Sequence, residues 1–144
     1  PRSARRKPTA MSFGSPEEVR TYIGGIFEAA FDDAELAPRL RSTGVVLRFA
    51  FTEPETDLVV DFENAVVTTG AEYEGPVGAT MSMSAETGNG YWQGKVNLPL
   101  AMAKGRIRVD GQVAPLLKLA PLSKKLYPVY VERLTADGRT DLLV

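Results

Sequence analysis

Val19, Ile23, Ile26, Phe27, Ala30 and Phe31 recur at spacings of three and four, which lays them along one stripe of a helix that must pack against a flat apolar surface. The start of that helix is encoded just upstream. Ser15 stands at the N-cap, Pro16 at the first helical position, and Glu18 three residues on completes a capping box. Asp32 or Asp33 then caps a second, shorter helix, Ala34 to Arg41, closed by Gly44.

From Val45 the period of the pattern changes to two. Val45, Leu47, Phe49 and Phe51 fall on one face of a strand, with Val46, Arg48, Ala50 and Thr52 on the other. After the turn Glu53 to Asp57, a second strand runs from Leu58 to Phe62 and pivots at Glu63-Asn64 into a third, Ala65 to Thr69. Two successive hairpins predict an antiparallel sheet. Residues 79 to 85 alternate again, placing Ala79, Met81, Met83 and Ala85 opposite Thr80, Ser82 and Ser84. Arg106 to Asp110 form a last strand of alternating charge. Beyond it, residues 112–134 are rich in leucine, tyrosine and valine, interrupted by Pro115, Pro121 and Pro128. Their apolar positions cover more than one face. Either the surplus face meets a partner or ligand, or the prolines reset the helical phase so that each piece buries a single side.

Composition narrows the chemistry. With 144 residues the chain fits one domain, and no apolar run is long enough to span a bilayer as a helix. There are no cysteines and no histidines, so disulfides, thiolate metal sites, cysteine nucleophiles and histidine-based triads are excluded. No metal site and no cofactor is expected. The net charge is −1, yet Arg2, Arg5, Arg6 and Lys7 crowd the first seven residues. Residues 1–13 are therefore expected to be a disordered basic arm, a solvated tail or a tether to an anionic surface. A mildly acidic body does not fit a nucleic-acid binder. Residues 14–134 are expected to form the domain and 135–144 a C-terminal tail. The oligomeric state is not legible.

The stretch from Ser84 to Leu100 holds Gly88, Gly90 and Gly94 around the single tryptophan, Trp92, with Lys95 behind. A phosphate-cradling loop would need glycine where Asn89 stands and serine or threonine where Val96 stands. A dinucleotide fingerprint fails on spacing too, so these glycines are read as allowing a short helical insert, with Thr87 or Asn97 as caps. Acids Glu53, Glu55 and Asp57 lack the glycine and distal glutamate of a calcium loop and are read as a solvated turn. Ser82 and Ser84 have no histidine to activate them. One enzymatic reading remains. Asp61 lies opposite Leu58, Val60 and Phe62, and if its face lined an apolar cavity its carboxylate could act as the base of a lipid isomerase or hydratase.

The ordered series of elements resembles the sterol carrier protein two family of small lipid-binding domains. The residues that carry the likeness are Leu47 to Gly70 in the strands, Ala79 to Gly111 in the middle and Leu116 to Tyr130 after it. Within them stand Ser84 to Glu86, Tyr91-Trp92 with Gly94-Lys95, and Gly105-Arg106-Ile107-Arg108-Val109 with Gly111. The resemblance implies an α+β domain whose mostly antiparallel five-stranded sheet is covered on one side by helices enclosing an apolar tunnel. It implies non-covalent binding of fatty acid, acyl-CoA or sterol, with no catalytic residues. Transient membrane-surface contact is a further expectation, and an alternative reading is an interaction module that docks its C-terminal helices on a lipid-metabolising enzyme. The expected tunnel wall is Phe27, Phe49, Phe51, Met81, Met83, Trp92, Val96, Leu100, Ile107, Leu116 and Leu117, with Lys95 or Arg106 meeting an anionic head. The chain ends Asp141-Leu142-Leu143-Val144, unlike the Ser-Lys-Leu-type address of peroxisomal members, so the expected compartment is the cytoplasm.

Overall fold

The computed structural model describes residues 13–144, so the basic-arm expectation falls almost wholly outside the described residues. Phe13 marks its limit. It is buried and stacked on Tyr22 at a ring separation of 6.2 Å, so this last residue of the expected arm packs against the helical stripe.

Helix α1 (Pro16–Val19) passes through a π-helical turn, Arg20–Gly24, into α2 (Gly25–Asp32). Ser15 Oγ accepts the Glu18 amide at 3.3 Å, and the Glu18 carboxylate reaches back to the amide of Gly14 at 2.9 Å, closing the box one residue further out than expected. Val19, Ile23, Ile26, Phe27 and Ala30 are buried and Phe31 partly so, as the stripe predicts. Asp33 caps α3 (Leu36–Arg41) by accepting the amides of Glu35 and Leu36, each at 2.9 Å.

Five strands follow: β1 (Val46–Thr52), β2 (Thr56–Asp61), β3 (Val66–Thr69), β4 (Ala79–Ser84) and β5 (Arg108–Gly111), arranged in the order β3-β2-β1-β4-β5. The hairpins β1–β2 and β2–β3 are antiparallel, and so is β4–β5. The pairing of β4 with β1 is parallel, because the chain crosses back from the β3 edge before entering β4. The sheet is thus mixed and mostly antiparallel. Four strand starts differ from expectation: β1 begins one residue later, β2 two residues earlier at Thr56, and β3 and β5 later for local reasons. Ala65 takes a left-handed conformation (φ 59°) in the turn, so β3 begins at Val66. The amides of Arg106 and Ile107 donate to the Ala101 carbonyl at 2.9 and 3.3 Å, which delays pairing with β4 until Arg108.

Register aligns the inner face: Phe49 lies between Leu58 and Met81, and Phe51 opposite Met83. These side chains and Leu47, Val60 and Phe62 are buried beneath the helices, whereas Arg48 pairs with Asp57 on the outer face at 3.1 Å.

Between β4 and β5 come α4 (Ala85–Trp92) and α5 (Leu98–Ala103), capped by Ser84 and Asn97, whose side chains accept the amides of Thr87 and Leu100. Of the two expected caps Asn97 serves and Thr87 does not; Thr87 is instead the donor to Ser84. After β5, α6 (Ala114–Ser123) leads through a 3-10 turn, Lys124–Leu126, to α7 (Tyr127–Ala136). Pro115 and Pro128 sit in first turns, where no amide hydrogen is needed, and Pro121 lies inside α6. Each piece has one buried side: Leu116, Leu119 and Leu122 on α6, Tyr130 and Leu134 on α7. Leu117 and Val129 remain outside, at 60% and 43% exposure.

The expected tail, residues 135–144, packs into the domain. Leu142 is fully buried, and its carbonyl receives the Asn89 and Gln93 side-chain amides at 2.7 and 2.8 Å. Tyr130 donates to Asn89 Oδ1 at 2.7 Å, and Gln93 Oε1 accepts the Val144 amide. This network ties the final residues to α4.

Candidate functional site

The inner face of the sheet, α2, α4 and α6 enclose a cavity of about 60 Å³. Strands supply Leu47, Phe49, Phe51, Met81 and Met83 by simple alternation, α2 supplies Phe27 and Ala30, and α6 closes the side away from the sheet with Leu116, Leu119 and Ala120. Phe27 is the hub. Its ring lies 5.2 Å from Phe49, 5.9 Å from Phe62 and 5.3 Å from Trp92, the last two edge-on, the tilted arrangement that aromatic quadrupoles favour. The two methionines add flexible, polarisable surface that can reshape around an apolar guest.

Helix α4 lies close against this wall because Gly88 has no side chain: a Cβ there would stand 2.8 Å from the Phe51 ring and 3.2 Å from Ile23. The lining is almost wholly apolar. Its polar features are Tyr91 and Ser123, whose hydroxyls share a hydrogen bond of 2.8 Å, and burial pushes the Tyr91 phenol up to about 12.

Of the residues expected on the wall, Phe27, Phe49, Phe51, Met81, Met83, Trp92, Ile107 and Leu116 border this cavity together. Val96, Leu100 and Leu117 do not. Val96 lies off the wall because α4 ends at Trp92 and Gly94 turns left-handed (φ 77°), which sends Val96 to a neighbouring cleft. Leu100 is 52% exposed because α5 buries Ala101 instead, and Leu117 points away one residue round from Leu116. Leu47, Phe62, Tyr91, Leu98, Leu119 and Leu126 border the cavity without having been anticipated. Leu47 and Phe62 share strand faces that alternation had already defined, and Leu119 follows Leu116 at helical spacing, so the signal for those three was present.

Asp61 lies elsewhere. Its carboxylate accepts the Asn64 amide at 3.0 Å and the Asn64 side chain at 2.8 Å, holding the β2–β3 turn at the surface. Among the described residues no group of His, Cys, Asp or Glu could hold a metal ion, and no helix is long and apolar enough to cross a membrane. The neighbouring cleft, about 490 Å³, lies between the α4–α5 connection and the end of α6, bordered by Lys95, Val96, Pro99, Lys124 and Tyr127. Arg106, the other expected head-group cation, does not border it.

Solved structures share this architecture. The sterol carrier protein domain 2 of Helicoverpa armigera superposes with a TM-score of 0.65 at 22% identity, covering 81% of this chain and 95% of that one. The apo form of sterol carrier protein 2 from Yarrowia lipolytica gives 0.60 at 16% identity, over 81% of this chain and 94% of that one. A sterol carrier protein-2 of Aedes aegypti, in complex with the C16 fatty acid palmitate, gives 0.54 at 23% identity, over 75% and 93%. No curated protein matches by sequence. The profile of the SCP-2 sterol transfer family matches residues 26–124, spanning β1 to β5 and most of the cavity wall, and the chain belongs to that family.

Proposed function

We propose that this chain binds an apolar lipid non-covalently between sheet and helices and carries or presents it without chemical change, with fatty acid, acyl-CoA or sterol as the ligand class. The observation that carries this reading is the cavity itself, walled by aromatic, leucine and methionine side chains with a single hydroxyl pair. The palmitate complex of the Aedes aegypti relative supports the ligand class.

The cavity of about 60 Å³ is small beside the roughly 300–1,000 Å³ of typical ligand sites, so binding requires the wall to open. Helix α6 is the element suited to move, because Pro121 removes one of its internal hydrogen bonds and its cavity side is aliphatic apart from the Ser123 hydroxyl, whose one bond across the cavity wall is to Tyr91. Each methylene buried contributes about 0.8 kcal/mol, so a chain of about ten carbons yields several kcal/mol after ordering costs. The placement of Asp61 in a surface turn, outside the cavity, supports a non-catalytic role.

Protein purified without added ligand, extracted with organic solvent and examined by mass spectrometry, is expected to release fatty acid or sterol-like molecules, and to bind a displaceable fluorescent fatty acid. A blank extract together with no uptake of the probe would refute the reading.

A further inference from the structure

The cleft beside the cavity shares three of its borders. Tyr91, Leu98 and Ala120 face both spaces, so the cleft is the ground immediately outside the apolar chamber. Among the described residues, the only charged ones bordering it are Lys95 and Lys124, and no carboxylate does. Both lysines are exposed and, among the described residues, neither belongs to an ion pair, whereas the adjacent Lys125 is engaged by Glu35 at 3.7 Å. Two uncompensated cations at the edge of an apolar chamber match an amphipathic guest, with its tail inside and a negative charge outside.

We infer that this cleft is a head-group subsite for a lipid bearing a carboxylate or phosphate, with Lys95 and Lys124 holding the head while the tail passes Tyr91, Leu98 and Ala120 into the cavity. The inference rests on the lipid-binding reading above and adds the chemical class of the head and the end of the chamber at which it lies.

The test compares palmitate, hexadecyl phosphate and hexadecanol, which share a tail and differ in the head, below their micelle-forming concentrations. The unaltered chain is expected to bind both anions more tightly than the alcohol. The Lys95→Ala/Lys124→Ala variant is expected to lose about tenfold in affinity for the anions and to bind the alcohol as before. The larger loss between palmitate and hexadecyl phosphate identifies carboxylate or phosphate as the preferred head. A control pair outside the cleft, Lys104→Ala/Lys118→Ala, is expected to leave all three affinities unchanged. Equal losses for anions and alcohol, no loss for the anions, or an equal loss in the control pair would overturn the subsite while leaving the apolar chamber standing. Failure of the unaltered chain to bind even hexadecanol would overturn the chamber reading itself.

Discussion

Trp92 packs edge-on against Phe27 at 5.3 Å and is 5% exposed, with the cavity along one side of its indole. A lipid tail entering there replaces protein contacts on that side, so the emission of this single tryptophan is expected to change in position or intensity as palmitate is titrated in. Unchanged emission during uptake confirmed by extraction would place the tail away from Trp92. Its neighbour Tyr91 carries a second, pH-dependent signature. Burial raises its phenol from 10 to about 12, so the folded state holds this proton more tightly than the unfolded chain. The corresponding stability is complete below about pH 10 and is lost as the pH rises toward 12. In Tyr91→Phe the decline across that window is expected to be shallower by about 2 kcal/mol, measured by urea titration at several pH values. Tyr130, whose phenol burial also pushes up, leaves some decline in the variant.

At the scale of elements, α4 joins the sheet to the end of the chain through Asn89, which is fully buried and bonds Leu142, Gln93 and Tyr130. Asn89→Ala removes the acceptor for the Tyr130 hydroxyl and one donor to the Leu142 carbonyl. The expected cost is about 3 kcal/mol, with faster amide exchange over residues 140–144; unchanged exchange there would show that Leu142 packing alone fixes the segment. This network also shows where sequence reasoning stops. The stripe of α1 and α2 and the inner faces of β1, β2 and β4 were legible because burial against a sheet imposes a period on local sequence. Phe49, Met81 and Phe27 were placed by that period. The parallel pairing of β1 and β4 was not, since it depends on the path of residues 70–78, which carry no periodic pattern. Asn89 and Gln93 read as polar residues of a short helix because the partners that satisfy them, Leu142 and Tyr130, lie 53 and 41 residues away from Asn89. The exposed turn of Leu117 beside buried Leu116 likewise depended on the phase that Pro115 and Pro121 give α6.

Over the whole molecule, charge is segregated in a way that the net value of −1 conceals. Residues 11–86 carry fourteen acids and four cations, whereas residues 87–131, which run from within α4 to within α7, carry seven cations and one acid. The exposed apolar residues Leu100, Val113 and Leu117 belong to this basic segment, as does the cleft next to the cavity. An anionic membrane would attract the exposed cations of this segment, Lys95 and Lys124 beside the cleft among them, and so bring the cleft toward the source or destination of its lipid. The chain is therefore expected to bind vesicles containing phosphatidylserine and to leave neutral phosphatidylcholine vesicles free in solution. Each cation near such a surface is worth about 1 kcal/mol at low salt, an attraction that weakens steeply once the Debye length falls below about 10 Å, near 0.1 M. The N-terminal cations Arg2, Arg5, Arg6 and Lys7 offer a competing route, and the variants separate the two. Lys104→Glu/Lys118→Glu leaves those four intact and is expected to reduce vesicle binding severalfold; Leu117→Asp, which introduces an acid among the exposed aliphatics, acts in the same direction. Binding that persists in both variants, or that ignores lipid charge, would assign the contact to another surface and remove the link between charge segregation and lipid exchange.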